Sequence, residues 1–312
     1  MAKNAVYRVN ALVSIPDDII LKRMALGFDT IYLEPPLRGY TNEGLLRPKL
    51  HGDFMEGFRQ YRALLVYLFE HRVISSLEPS HVSENQELSE VEQDLLDCWL
   101  SGLTQSYMVR EKIEETRNVA ELDTLCANAD GLLDAAGDSL TRFRAISLAK
   151  LVPGEFYPIL RTDRSFSGQG TKMTVIRLVV DSLPQPGVDT PWEAIVDFRS
   201  DETTRLQYLA LINWINEMAK SLLTANEINE KLEYLLMEYK RSIERHRLKW
   251  KTGMLEILTA AAAGFFTGNI PASINLLSNF VKVGSTALNL QEEEGKLPGK
   301  EIAYIYHANQ NF

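Results

Sequence analysis

Lys240, Arg241, Arg245, Arg247, Lys249 and Lys251 crowd one stretch of the chain, with only Glu244 among them. The surrounding pattern is helical, so Arg241, Arg245 and Lys249 fall at i, i+4 and i+8 and stack on one face. Like charges stacked in this way oppose one another. Something must compensate them, and two chemistries fit. One is an acidic segment of the same chain. The other is an anionic partner such as nucleic acid, whose phosphates take lysine and arginine directly. Glu84, Glu87, Glu90, Glu92 and Asp94 form a stretch without a base and are the internal candidate.

Catalytic chemistry has no comparable signal. The chain carries no phosphate-binding Gly-x-x-x-x-Gly-Lys-Ser/Thr, no His-Glu-x-x-His and no Gly-x-Ser-x-Gly. His51, His71, His81, His246 and His307 lack metal-ligand spacing, as do Cys98 and Cys126. Gly168-Gln169-Gly170 does not open a helix and reads as a hairpin loop. Glu294-Gly295-Lys296 matches the end of a nuclease motif but lies in a turn rather than on a strand. No catalytic residue is assigned, and neither cofactor nor metal is expected.

The basic stretch is positioned by the helix around it. Thr224-Ala225-Asn226-Glu227 reads as a capping box. Ile228, Leu232, Leu235, Leu236, Tyr239, Ile243, His246 and Trp250 then follow at steps of three and four, so His246 reads as a core residue. An amphipathic helix over 201–222 precedes it, with Tyr208, Leu211, Ile212, Ile215, Met218, Ala219 and Leu222 on its stripe. The short link predicts two antiparallel, neighbouring helices.

The amino-terminal half mixes periods. Residues 5–14 read as a strand, Pro16-Asp17-Asp18 as a helix start, and 29–33 as a second strand, most simply parallel to the first. Residues 26–35 are similar to an early strand of amylase-type barrel hydrolases. That likeness is set aside, because no later strand ends in a catalytic carboxylate. Helices are expected over 54–69, 95–116 and 119–151, with Gly131 and Gly137 as breaks. Residues 156–162 and 173–181 read as a strand hairpin, and residues 301–308 as a last strand.

Near the carboxyl end, 254–266 is too short to span a bilayer. Residues 271–290 form an amphipathic pattern with a wide apolar side. Ile274, Leu277, Phe280, Val281 and Leu288 are its interface candidates, against a second subunit or another protein. A membrane surface is disfavoured, since the polar face carries a single lysine. The expected fold is α+β, helix-dominated, with a small mixed sheet built from amino-terminal, central and carboxyl-terminal strands. Residues 1–200 form the α+β region, residues 298–312 return to its sheet, and 201–297 are helical.

Net charge is −9 over 312 residues, which argues against coating nucleic acid through the overall field. With few cysteines and no secretory start, the expected compartment is the cytoplasm. Ser14-Ile15-Pro16-Asp17-Asp18-Ile19-Ile20-Leu21-Lys22-Arg23 through Phe28-Asp29-Thr30-Ile31-Tyr32 resembles an uncharacterised bacterial family of unknown function. So does Asn213-Trp214-Ile215-Asn216-Glu217 through Lys231-Leu232-Glu233-Tyr234-Leu235-Leu236. The resemblance implies architecture and a bacterial source, not an activity. The leading reading is a cytosolic interaction or regulatory protein, a subunit of a homo- or hetero-oligomer, in a setting such as a defence or toxin–antitoxin locus. The alternatives are a nucleic-acid-binding protein or nuclease using 240–251, and a membrane-active effector using 271–290.

Overall fold

The structure, a computed structural model, describes residues 2–8, 17–34, 63–76, 87–160, 171–266 and 296–312, with backbone alone at 34, 76, 171 and 246–266. The described chain is helix-dominated α+β with a small four-stranded sheet. Two compact units divide it: Met1–Ser200 with Phe312, and Asp201–Asn311.

In the first unit the strands are β1 (Lys3–Arg8), β2 (Thr30–Glu34), β3 (Ile74–Ser76) and β4 (Glu155–Ile159), in the order β3-β2-β1-β4. All three pairings among the described residues are parallel, so the described sheet is not the mixed one expected. α1 (Ile19–Gly27) links β1 to β2, and a helix over 63–70, α2, precedes β3. The chain then returns across the sheet through α3 (Glu90–Glu115) and α4 (Val119–Leu151) to reach β4. Right-handed crossovers in opposite directions place their helices on opposite faces. The side chains agree, because successive strand residues point to opposite faces. Val6 packs with Ala145 and Leu148 of α4, beside Tyr32 and Phe156. On the other face, Tyr157 meets Phe28 just past α1, at 6.0 Å between rings. α5 (Thr171–Ser182) and α6 (Trp192–Ser200) complete that layer against α1.

α1 starts as its sequence dictates: Asp18 accepts the Leu21 amide at 2.9 Å and caps the helix. α4 runs unbroken through Gly131 and Gly137, which are not breaks. Gly137 has another reason to lack a side chain. A Cβ there would lie 2.0 Å from the Arg8 guanidinium. The expected strand over 173–181 is α5 instead. Val175, Ile176, Val179, Val180 and Leu183 are buried at helical steps, and the β-branching of the three valines and the isoleucine masks that period.

The second unit contains α7 (Glu202–Met218), α8 (Ala225–Phe266), a 3₁₀ turn (Lys300–Ile302) and α9 (Ala303–Asn311). The expected last strand is therefore helix, and it packs here rather than in the sheet. Ile302, Ala303, Tyr304, Ile305, Tyr306 and Ala308 are all buried, so the run showed no helical alternation in sequence. It lies against both α7 and α8. Tyr304 meets Tyr208 at 5.3 Å and Tyr306 meets Tyr239 at 5.4 Å between rings. This insertion corrects the simple helical hairpin expected for α7 and α8. The Thr224 capping box is present: the Glu227 amide donates to Thr224 Oγ1 at 3.4 Å, and the Thr224 amide donates to Glu227 Oε2 at 2.7 Å. Ile228, Leu232, Tyr239 and Ile243 are buried on the expected stripe.

Candidate functional site

Because α8 buries that stripe, its cations turn outward. Lys240, Arg241 and Arg245 are exposed, and none pairs with a described carboxylate. Tyr234 and Met237 on the same helix are 57% and 55% exposed. Tyr234, Met237, Arg241 and Arg245 follow at steps of three and four and so share one face. The backbone at Arg247, Lys249 and Lys251 continues α8, but their side chains lie outside the described residues, as do those of His246 and Trp250. Ile274, Leu277, Phe280, Val281 and Leu288 also lie outside the described residues, as does Gly168-Gln169-Gly170.

The acidic stretch divides in two. Glu92 is buried and already partnered. It closes a capping box with Ser89 and accepts Lys150 Nζ at 2.5 Å, which fastens the base of α3 to the end of α4. That corrects the expectation that Glu92 serves the basic stretch. Glu87, Glu90 and Asp94 are exposed, as is Asp97 just beyond the stretch, and Glu84 lies outside the described residues.

Two further polar clusters have no sequence signal. At the amino edge of the sheet, Lys3 and Glu155 are register partners on β1 and β4. Lys3 Nζ donates to Glu155 at 2.5 Å, Tyr157 donates its hydroxyl at 2.7 Å, and Lys172 of α5 makes a further short contact. Burial pushes the Glu155 carboxyl up, but the bonds from Lys172, Lys3 and Tyr157 outweigh it and hold it at about 2. Burial lowers the Lys3 ammonium, partly opposed by Glu155. Burial and the bond to Glu155 raise the Tyr157 phenol. Ligands of open parallel sheets bind at the opposite, carboxyl edge. We therefore read this cluster as a lock between strands and helix.

At the carboxyl edge, Arg8 donates to Asp134 at 3.0 Å and to the Leu133 carbonyl at 3.5 Å. On the other face, Tyr7 donates to Asp18 at 3.1 Å. Asp18 thereby occupies the amino end of α1, where a nucleotide fold would hold pyrophosphate, and residues 9–16 contain no glycine. Dinucleotide binding at this turn is disfavoured. Buried Lys22 donates to the Val188 carbonyl at 2.7 Å and ties the 187–188 turn to α1. Among the described residues no group of His, Cys, Asp and Glu has the arrangement of a metal site, and no helix is long and apolar enough to cross a membrane.

Glu92 is likewise held at about 2, first by Lys150 and then by Ser89, against the ordinary 4.5. Both acids are thus depressed in the fold. Between these values the unfolded chain binds the extra protons. The stability that Glu92 and Glu155 contribute is complete above about 4.5 and is lost as pH falls toward about 2. Urea midpoints should decline over that window, and the decline should be shallower in a Lys150→Met variant.

Family models, characterised proteins and solved structures were compared with the chain, and none matches it.

Proposed function

We propose that the chain is an interaction or regulatory protein that works as a subunit of an oligomer. The α3–α4 arm supports this reading. Past Asp134, at the carboxyl edge, α4 runs on for about 24 Å to the arm's tip, at roughly 1.5 Å per residue. Over all of α3 only Glu92 and Ser106 are buried. Gly102 and Ser106 face α4: Ser106 donates to the Ala129 carbonyl at 3.2 Å, and a Cβ on Gly102 would meet Ala136 at 2.8 Å. Away from that seam, Leu100, Tyr107 and Met108 are 53%, 65% and 59% exposed. Exposed large apolar residues along a long arm are what a recognition surface would offer a partner.

The variant L100E/Y107E tests it. Its association should be at least tenfold weaker by light scattering, since an anchoring aromatic contributes about 2 kcal/mol or more. An unchanged molar mass in a folded variant removes the arm as a contact.

A second reading, nucleic-acid binding, is favoured by the outward Lys240, Arg241 and Arg245. Its test is salt-sensitive retention of an oligonucleotide. Membrane action through 271–290 has no described residue behind it.

A further inference from the structure

We infer that α8 makes a two-fold contact with α8 of a second copy of the chain, the two helices running antiparallel. This rests on the oligomer reading and names one of that oligomer's contacts, apart from the arm. Ile228, Leu232, Tyr239 and Ile243 bury one side of α8. The line of the helix opposite them runs through Glu230, Tyr234, Met237 and Arg241, all exposed. In order these are an acid, two large apolar side chains and a base. Two copies laid antiparallel about the midpoint of Tyr234 and Met237 place Glu230 of each against Arg241 of the other. Tyr234 and Met237 of both copies then meet in the middle. Tyrosine, methionine and arginine are the side chains enriched at protein interfaces.

The borders of that line obey the same register. Lys231 and Glu238 lie along one border, Glu233 and Lys240 along the other. A two-fold axis across the helices brings each border onto the same border of the partner. Lys231 then faces Glu238, and Glu233 faces Lys240. Further out, Glu227 falls opposite Arg245, and Glu244 opposite Asn226. The acids interspersed among the cations are therefore used, and no like charges are set against each other. A parallel, in-register pair would instead oppose Arg241 to Arg241 and Glu230 to Glu230, and such border charges set orientation in paired helices. The overlap over 226–245 is about 30 Å long, at roughly 1.5 Å per residue. The net charge of −9 opposes the approach of two copies. Exposed charges further apart than about 8 Å are largely screened at physiological ionic strength, however, so the pairs in contact decide.

The experiment uses the full chain, with E230R/E233K and K240E/R241E as separate variants, each checked for helicity by circular dichroism. Light scattering at physiological ionic strength reads their association. Each variant alone should associate roughly tenfold more weakly than the parent, because like charges then meet across the axis. Their equimolar mixture should recover association, since every new base then faces a new acid and every original acid an original base. The combined swap E230R/E233K/K240E/R241E should recover it within one chain. If a reversal unfolds, E230Q/E233Q carries the same test, with association about fivefold weaker from the exposed ion pairs lost. Four results overturn the inference. If both variants associate like the parent, the oligomer reading survives but α8 is not its contact. If the mixture stays as weak as its components, these charges do not face one another. If only K240E/R241E loses association, the face has another occupant, and an oligonucleotide retained by the parent and by E230R/E233K identifies nucleic acid. If the parent stays monomeric, the inference and the oligomer reading fail together.

Discussion

Glu155→Gln should destabilise the sheet unit by about 3–5 kcal/mol, the usual result of removing one partner from a buried ion pair. Lys3 is 2% exposed, and its ammonium relies on Glu155 at 2.5 Å. Glutamine keeps the shape and removes the charge. Two lysines would then converge on a neutral amide, one of them buried. A loss of that size approaches the whole stability of a small domain, about 5–15 kcal/mol. Urea denaturation followed by circular dichroism reads it. The double variant Lys3→Met, Glu155→Met distinguishes a lock from a reactive site. It should recover most of the loss, because an apolar pair can replace a buried ion pair at little cost.

Gly299→Val has the next largest effect, in the second unit. Gly299 has a φ of 78°, and a Cβ there would lie 2.7 Å from the Leu235 carbonyl oxygen and 3.1 Å from Tyr239 Cβ. The left-handed conformation costs a branched residue roughly 1–2 kcal/mol. Forcing side-chain atoms against helix backbone adds about 1–3 kcal/mol. The expected outcome is a destabilisation of about 2–5 kcal/mol, read from the urea midpoint, with the turn before α9 displaced from α8. Gly131→Ala is the contrast. Nothing lies within 4 Å of its added Cβ, and in a helix interior it should stabilise by about 0.5–1 kcal/mol.

Local signals carried most of the helices and little of the sheet. Asp18 and Thr224 are read correctly as helix starts because a cap is a matter of a few adjacent residues. The outward turn of Lys240, Arg241 and Arg245 follows from the stripe at Ile228, Leu232, Tyr239 and Ile243. β3 escapes because Ile74–Ser76 is too short to show a period. α5 is misread from its β-branched residues, and α9 because neighbours cover it on every side. Lys3 and Glu155 are 152 positions apart, and only parallel register brings them together. Gly137 looks like a helix break until the Arg8 guanidinium is seen crossing it. The exposure of Leu100, Tyr107 and Met108 on α3 has no local signal, because it depends on which neighbours cover the helix. Among the described residues the helix packs chiefly against α4.

Sedimentation of the unmodified chain over a hundredfold range of concentration tests the central claim most directly. Self-association through the exposed apolar residues of the arm predicts a mass that climbs with concentration. A single-chain mass at every concentration and salt, with no protein companion when the chain is purified untagged, contradicts it.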